Sequence, residues 1–337
     1  MTLPGAPANA AAARPRSDAP PLAGRTGRPD ASLALWMLGL TAIWGLNAVS
    51  VKVLTGGVSP VMGATLRNGV ALALLTAFGL WQGQSFRVRG PVVWQVLLNG
   101  CLFAGEFICS YTGARLSNAG HFSLFINTSP FVVAIGAHFL FPLDRLDVRK
   151  VVGLLGAFAG VVLLFSDGLI VQGEGVWRGD LLILASAVFW GTSTLHVKRF
   201  ILGRVRPFQL LYAKLVVATP LMLAFSWWAE PEPFFAFGPT SVLMLAYQGV
   251  VVVFFSYLMF IVLLDRYQPS AVQSFVFLTP VWGVCSGIVL LGERLSLYLV
   301  CGMALVGLGI YLINRPRRAP PGALAGAAAA APGGDPR

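Results

Sequence analysis

The sequence is poor in charged residues. Asp, Glu, Lys and Arg make up only 11% of its 337 residues, whereas about a quarter of the residues in a soluble domain are charged. Hydrophobic residues make up 56% of the chain, and the mean hydropathy is +0.76. This composition excludes a water-soluble globular fold and predicts a polytopic membrane protein.

Cysteine and histidine are also scarce. The four cysteines lie inside apolar stretches without CxxC or Cys/His spacing, which predicts neither disulfides nor a metal site. The three histidines are scattered and no P-loop motif is present, so we expect no cofactor and no use of ATP. A formal net charge of +11 is typical of nucleic-acid binding. Here the basic residues form short clusters between long apolar runs, so no nucleic-acid partner is expected.

Ten apolar segments occupy most of the chain, each near the ~20 residues that cross about 30 Å of hydrocarbon. Helices are predicted, because the backbone must satisfy its own hydrogen bonds in lipid and no alternating barrel strands occur. The predicted fold is therefore all-α, with ten transmembrane helices. The segments are 32–54, 59–81, 92–113, 116–138, 149–167, 179–201, 206–228, 240–264, 267–291 and 296–314.

The two ends of the chain have a different composition, rich in Ala, Pro, Gly and Arg. Residues 1–31 and 316–337 are predicted to be disordered cytoplasmic tails, because they cannot bury a core. Between them we predict a first five-helix unit over 32–167, an external linker over 168–178 and a second unit over 179–315.

Lys and Arg are distributed unevenly between the two sides of these predicted helices. With a cytoplasmic N-terminus, the inner segments hold 18 of them and the outer loops only three. Because positive charge accumulates in cytoplasmic loops, both termini are predicted to be cytoplasmic. The expected location is the cell membrane, in a bacterium the inner membrane.

The chain also repeats itself, with offsets of 146 to 150 residues. WGLNAVSVK at 44–52 recurs as WGTSTLHVK at 190–198, and Ser129-Pro130 recurs as Thr279-Pro280. Each half contains five predicted helices, an odd number, so the second half is inserted upside down relative to the first. Such 5+5 inverted-topology repeats build alternating-access transporters, with the substrate site near the midplane.

These motifs resemble the drug/metabolite transporter superfamily, specifically its EamA-type ten-helix members. The resemblance implies two tandem EamA units that transport amino acids, sugars, other small metabolites or toxic organic compounds. The first half departs from the family pattern, with Leu143-Asp144-Arg145-Leu146 in place of Gly-Glu-Arg-Leu. The motifs are WGLNAVSVK, Arg67, Ser129-Pro130, Gly179-Asp180, WGTSTLHVK, Thr279-Pro280 and Gly292-Glu293-Arg294-Leu295.

Three charged residues, Arg67, Glu106 and Lys214, are predicted deep within helices, where charges usually face a cavity or a partner. Arg67 and Glu106 are expected at matching depths, roughly 10–12 Å below the outer helix ends. We predict that they pair, either as a fixed salt bridge or as a pair that opens when substrate or a proton binds. Lys214 has no obvious carboxylate, so it is predicted to meet a substrate carboxylate or helix-end carbonyls.

Polar and aromatic residues at helical spacing are candidates for substrate binding, although they equally suit contacts between helices. His121 is interpreted either as a structural group or as a proton relay to Glu106. Pro130 and Pro280 are predicted to break their helices. The candidate binding residues are Trp44, Asn47, Ser50, Glu106, His121, Asn127, Trp190, Ser193, His196, Tyr257 and Gln273.

These features favour a secondary active transporter that exports small organic metabolites such as amino acids, with protons as the candidate coupling ion. Its expected partners are the lipid bilayer and the substrate, and it is expected to be a monomer or homodimer. An efflux carrier for drugs or toxic compounds is the alternative. An integral-membrane enzyme would need His, Asp or Glu clustered near one interface, and the sequence has no such cluster.

Overall fold

The computed structural model describes residues 29–166, 176–291 and 297–315. Most of the two predicted tails, most of the linker and the Gly292–Leu295 motif lie outside these residues. The described residues form helices joined by turns, with two isolated β-bridges, so the prediction of an all-α fold is confirmed.

The α-helices of the described residues run from α1, which begins near the N-terminal tail, to α13, which ends near the C-terminal one. In chain order they are α1 (Ala31–Leu54), α2 (Pro60–Trp81), α3 (Val92–Leu116), α4 (Ala119–Ile126), α5 (Ser129–Leu140), α6 (Val148–Leu164), α7 (Val176–His196), α8 (Pro207–Ala229), α9 (Pro239–Ala246), α10 (Tyr257–Arg266), α11 (Pro269–Ser274), α12 (Leu278–Leu291) and α13 (Leu297–Asn314).

Seven helical stretches in the described residues are long and apolar enough to cross a membrane. Two of them include π-helical turns, over Val197–Ile201 after α7 and over Tyr247–Ser256 between α9 and α10. The other three predicted segments fall on α6, on α11 with α12, and on α13, which are shorter or interrupted. The seven stretches are Ala31–Leu54, Pro60–Trp81, Val92–Leu116, Ala119–Leu140, Val176–Ile201, Pro207–Ala229 and Pro239–Arg266.

Regular α-helix is interrupted one turn before each of the two repeat-related prolines. Helix α4 ends at Ile126 and α5 begins at Ser129, so the interruption precedes Pro130. A 3₁₀ turn over Phe275–Phe277 precedes Pro280 in the same way. Proline lacks an N–H and its ring clashes with the carbonyl four residues earlier, which accounts for both positions.

Two equivalent helix crossings depend on the glycine of each WG motif. A Cβ atom on Gly45 of α1 would lie 2.6 Å from the Cβ of Trp282 on α12. A Cβ on Gly191 of α7 would lie 2.7 Å from the Cβ of Val132 on α5. Both distances are too short for a side chain, so each pair of helices approaches closely only because glycine stands there.

Helices α6 and α13 cross through four glycines that are also equivalent in the repeat. A Cβ on Gly153 would lie 2.8 Å from the carbonyl oxygen of Gly309, and a Cβ on Gly160 would lie 2.6 Å from that of Gly302. The order of the contacts is reversed between the two helices, so α6 and α13 run antiparallel. Small residues at such crossings let helix backbones approach closely in membranes.

Helices α2 and α8 are likewise antiparallel neighbours. The backbone N–H groups of Val61 and Met62, at the start of α2, donate to the Glu230 carboxylate at the end of α8, at 2.9 and 3.0 Å. At the opposite end, Gln209 near the start of α8 donates through Nε2 to the carbonyl of Ser85, which follows α2, at 2.9 Å. These two pairs of helices, α2 with α8 and α6 with α13, are equivalent in the repeat and lie side by side in opposite directions.

Candidate functional site

A cavity of about 1370 Å³ lies between the helices and opens at one end of the bundle. Its mouth is formed where α1, α3 and α8 end and where α2 and α4 begin. The chain segments that connect helices at the opposite end, 82–91, 141–147, 202–206 and 267–268, do not line it. We call these the mouth end and the closed end. The mouth residues include Thr55, Ser59, Pro60, Arg115, Asn118, Pro231, Glu232 and Phe235.

Aromatic side chains form one wall of the cavity. The rings of Trp44 and Trp190, from the two WG motifs, lie edge to face with their centroids 6.1 Å apart. The ring of Trp44 also lies 6.4 Å from that of Tyr257 and 5.6 Å from that of Phe260. Its indole nitrogen donates to the Ser256 hydroxyl at 2.8 Å, which fixes the ring. This wall can stack on the apolar or aromatic part of a small molecule.

Arg67 is a buried cation at this cavity. Its side chain lines the cavity although the residue is only 1% exposed. The guanidinium carbon lies 4.6 Å from the ring centroid of Phe107 and 5.4 Å from that of Tyr111. Its Nε and Nη2 atoms are buried and donate no hydrogen bond within the described structure. Such unsatisfied donors are costly to bury, and an acceptor group on a bound molecule would satisfy them.

Glu106 of α3 lies between two cations and interacts electrostatically with both Lys214 and Arg67. The predicted direct salt bridge from Arg67 is not formed, since no N–O distance of 4.0 Å or less joins it to Glu106. Lys214, for which the sequence offered no carboxylate, has Glu106 as its charged neighbour. Its Nζ also lies 4.5 Å from the ring centroid of Phe103.

The two cations approach Glu106 from opposite ends of the bundle. Arg67 lies seven residues after Pro60 and Lys214 lies seven residues after Pro207, in antiparallel helices. Helix α3 packs against both α2 and α8, so its carboxylate is near each of them. The site therefore carries two cations and one carboxylate, an excess of one positive charge.

The EamA-like transporter family model matches residues 31–166 and 177–315. The chain belongs to the EamA-like transporter family. The resemblance seen in the sequence is therefore confirmed, and the protein is a multi-pass membrane protein of a transporter family.

Several relatives of this EamA-family chain match over most of their length. A "Probable amino-acid metabolite efflux pump" of Salmonella typhimurium is 30% identical, over 85% of this chain and 94% of the relative. An "Uncharacterized transporter" of Bacillus subtilis, YvbV, is 27% identical, over 86% of this chain and 94% of the relative. A crystal structure that is 23% identical covers 85% of this chain and 96% of its own, with a TM-score of 0.73, and so shows the same fold.

Most of the candidate residues predicted from the sequence line the cavity of this EamA-family protein. Arg67, Lys214 and Pro280 line it too, whereas Pro130 is not part of its wall. The candidate binding residues that line the cavity are Trp44, Asn47, Glu106, Asn127, Trp190, Ser193 and Tyr257.

Ser50 and Gln273 do not line the cavity but lie between helices. The Ser50 hydroxyl accepts a hydrogen bond from Gln248 Nε2 at 3.0 Å. Gln273 Nε2 donates to the Ser129 hydroxyl at 3.1 Å. Both are buried, and their contacts correspond to the interhelical alternative considered for such residues.

His196 also lies outside the cavity wall, in a polar network between α3 and α7. Its Nε2 lies 2.7 Å from Gln95 Oε1, and Asn99 Nδ2 donates to the Ser193 hydroxyl at 3.0 Å. The spacing of three that links Ser193 and His196 places them on adjacent parts of one helix face. Ser193 reaches the cavity edge, whereas the imidazole is held against α3.

His121 is paired with a different carboxylate from the one expected. Its Nδ1 lies 2.9 Å from Asp180 at the start of α7, and the Ser117 hydroxyl donates to the same carboxylate at 2.6 Å. The proposed relay to Glu106 has no direct contact in this arrangement. The sequence placed His121 and Glu106 at similar depths, but depth does not give the rotation of a helix about its axis. In the structure, α4 is rotated so that the imidazole faces α7.

The aromatic residues of α3 that surround the charges were not predicted from the sequence. Phe103, Phe107 and Tyr111 line the cavity and follow one another at a spacing of four residues. That spacing places them on one helix face beside Glu106 and Ser110. The four-residue spacing could have indicated an aromatic cavity wall, but the same spacing is common in residues that only pack in a helix interface.

The closed end holds a buried charged cluster from the first-half motif at 143–146. Lys150 Nζ lies 2.6 Å from the Asp144 carboxylate and 3.2 Å from the Ser270 hydroxyl. The backbone N–H of Ser270 donates to Asp144 at 3.0 Å, and its hydroxyl donates to the same carboxylate. Asp144 thus joins the start of α6 to the start of α11 and lies away from the cavity.

Proposed function

We propose that this protein is a secondary active transporter that exports small organic metabolites carrying a carboxylate, amino acids among them. The observation that carries the proposal is the buried guanidinium of Arg67, which lies at the cavity beside Lys214 and whose Nε and Nη2 donors have no partner among the described residues. A substrate carboxylate would accept charge-assisted hydrogen bonds from these donors and balance the excess positive charge. The Salmonella relative, named for amino-acid metabolite efflux, supports the same substrate class.

The transport cycle that we propose is alternating access between two inverted five-helix units, 32–167 and 179–315, with ten spans in all. The antiparallel crossings of α2 with α8 and of α6 with α13 support the inversion. The distribution of basic residues, 18 to three, supports cytoplasmic termini in a bacterial inner membrane. In that orientation the cavity mouth faces outward, so the structure corresponds to an outward-open state.

Topology can be tested with two probes. A reporter fused after Arg318 should behave as cytoplasmic, and a cysteine that replaces Glu232 should react with an impermeant maleimide added outside. An even number of spans separates the two termini, and the mouth lies on the opposite side from both. Probes on the same side would contradict the inverted arrangement.

The transport proposal is tested by substrate counterflow in proteoliposomes, which distinguishes a carrier from an enzyme or a channel. A panel should contain amino acids, other monocarboxylates and lipophilic cations. Arg67→Met should reduce carboxylate counterflow at least tenfold, because the substrate loses a charge-assisted contact. Arg89→Met is the matched control, since Arg89 is exposed in the loop after α2 and should leave transport unchanged.

Efflux of lipophilic cations is the second candidate, because the wall of Trp44, Trp190 and Tyr257 suits cation–π contacts. Two cations at the site oppose it. Counterflow of lipophilic cations but not of carboxylates would reject the first substrate class in favour of the second.

Proton coupling is proposed for Glu106, because the ammonium group of an amino-acid substrate would bind the ionised carboxylate and so compete with a proton for it, as proton-driven export requires. Glu106→Gln should abolish transport driven by a pH gradient and retain substrate exchange without a gradient. Full gradient-driven transport in this variant would show that Glu106 only balances charge. Wild-type protein under the same gradient is the reference.

A further inference from the structure

The closed end of the cavity is held by a lysine bound to the end of a helix. Lys198 Nζ donates to the carbonyl oxygens of Leu264 and Asp265, at 2.7 and 3.0 Å. These carbonyls belong to the last turn of α10, where the backbone has no partner of its own and the helix dipole favours a cation. The Asp265 side chain adds electrostatic attraction. Leu264 and Val197 line the deepest part of the cavity, directly beside this contact.

The repeat places an equivalent set of groups at the mouth. Lys52 ends WGLNAVSVK as Lys198 ends WGTSTLHVK, 146 residues later. Ala114 and Arg115 occupy the last turn of α3, 150 residues before Leu264 and Asp265. This alignment agrees with the helix ends, because the residues that follow α3 and α10, Ser117 and Tyr267, are also 150 apart.

In the structure, the groups at the mouth are separated. Lys52, Ala114 and Arg115 are all exposed and line the cavity. The Lys52 ammonium makes no hydrogen bond or ion pair with any described residue. The same constellation is therefore joined at the closed end and apart at the open end.

We propose that Lys52 is the latch of the mouth, and that its ammonium binds the carbonyls of Ala114 and Arg115 when the mouth closes. Lys198 releases Leu264 and Asp265 in the same transition, so the two lysine latches alternate. This inference rests on the alternating access proposed above. It assigns the lysine of each WG motif to the gates and leaves substrate binding to the charges deeper in the cavity.

The two latches differ in one neighbouring charge. Asp265 attracts Lys198 at the closed end, whereas Arg115 stands at the equivalent position and repels Lys52. The latch at the mouth is therefore the weaker one, which agrees with the open mouth in the structure. Arg115→Ala should accordingly favour closure of the mouth.

The test measures how readily a thiol inside the cavity is labelled from the mouth side. Ser123, which lines the cavity one turn into α4, is replaced by cysteine in full-length protein whose four native cysteines are replaced by alanine. The probe is a membrane-impermeant maleimide. Lys198→Ala should slow labelling about 2- to 10-fold, the range set by the net loss of one hydrogen bond. Arg115→Ala should slow it in the same direction.

The decisive variant combines Lys198→Ala with Lys52→Ala. Removing both latches should return the labelling rate towards that of the parent, because the two losses act on opposite sides of one equilibrium. Arg199→Ala is the matched control, since Arg199 is the exposed cation next to Lys198 and should not change the rate. Lys52→Ala would overturn the proposal if it left the slow rate of Lys198→Ala unchanged or reduced it further.

Labelling requires no substrate, so this result is independent of the substrate class. Failure of carboxylate counterflow would reject the proposed substrate and leave the latches standing. Compensation between the two lysines could still be observed in that case. Conversely, unchanged labelling in Lys198→Ala would reject the latches without affecting the role of Arg67.

Discussion

Gly45 of the first half and Gly191 of the second occupy equivalent helix crossings, whereas the equivalent cations Arg67 and Lys214 have different surroundings. Both glycines bring two helices to nearly the same separation, with Cβ positions that would lie 2.6 and 2.7 Å from the next helix. Arg67 stacks over rings of α3 with donors unsatisfied, while Lys214 lies near Phe103 and Glu106. Close packing keeps the two helix crossings alike in the two halves. The charged residues line an open cavity, where equivalent positions can have different surroundings.

The largest loss of stability is expected at the crossing of α6 and α13, to which both halves contribute equivalent glycines. A Cβ on Gly309 would lie 2.5 Å from the Gly153 carbonyl oxygen and 2.6 Å from the Ala157 nitrogen, both backbone atoms that cannot turn aside. Gly309→Ala should therefore lower stability by about 1–3 kcal/mol or more. The measurement is the thermal midpoint of the purified protein in detergent.

Gly307→Ala is the matched control for this substitution, since nothing lies within 4 Å of its Cβ position. Alanine there should be neutral or slightly stabilising, because alanine has a higher helix propensity than glycine. Gly153→Ala should behave like Gly309→Ala if the crossing is as symmetric as the structure indicates. Equal midpoints for the Gly307 and Gly309 variants would refute the close approach.

Much of the scaffold could be predicted from the sequence. Apolar runs locate the helices to within a few residues. Gly153 and Gly160 recur 149 residues later as Gly302 and Gly309, and the structure brings these glycines into contact. The interruptions before Pro130 and Pro280 follow from the chemistry of proline alone. The π-helical turns at Val197–Ile201 and Tyr247–Ser256 had no such local signal.

The partners of the site residues were harder to predict, because depth along a helix does not give rotation about its axis. Arg67 and Glu106 were placed at similar depths, yet the guanidinium stacks over Phe107. Lys214 begins in the opposite half of the bundle and still has Glu106 as its charged neighbour. A lysine carries its charge at the end of a flexible four-carbon side chain, and residue counting along the backbone leaves out that reach.

A smaller loss of stability is expected at a helix start where the two halves differ. Glu230 caps the start of α2 through Val61 and Met62, and it also accepts from Ser226 at 2.5 Å. The equivalent start of α8 has no carboxylate among its described contacts and uses the Gln209 side chain instead. Glu230→Gln should cost about 0.5–2 kcal/mol, as for other lost helix caps. The thermal midpoint in detergent measures this loss.

The control for Glu230 is two residues away. Glu232 is exposed, and its hydrogen bond within the described residues is made by the backbone carbonyl, which accepts from the Ser59 hydroxyl at 2.7 Å. Glu232→Gln should leave the thermal midpoint unchanged. If both variants lost the same stability, the effect would come from net charge at the mouth and not from the cap.

The smallest effect is expected at a contact that both halves share at the helix entries. The Tyr267 hydroxyl donates to Asp30, just before α1, at 2.8 Å. The equivalent pair lies 150 residues away in each case: the Ser117 hydroxyl donates to Asp180 near the start of α7. The backbone N–H of Leu33 and then the Tyr267 hydroxyl lower the pKa of Asp30 below its usual value of 3.8. A lowered pKa means that the ionised form is favoured in the folded state.

The sign of the pH dependence follows from that shift. The stabilisation by Asp30 is fully present above pH 3.8 and is lost as pH falls through the lower, folded-state value. Asp30→Asn should thus lower the thermal midpoint slightly and by the same amount at about pH 7 and about pH 5. The difference from wild type should shrink only below pH 3.8, if the protein is still folded there. If the difference in thermal midpoint already changed between about pH 7 and about pH 5, the titrating group would be another residue and not Asp30. In that case Tyr267→Phe, which removes the second donor to Asp30, would leave this pH dependence unaltered.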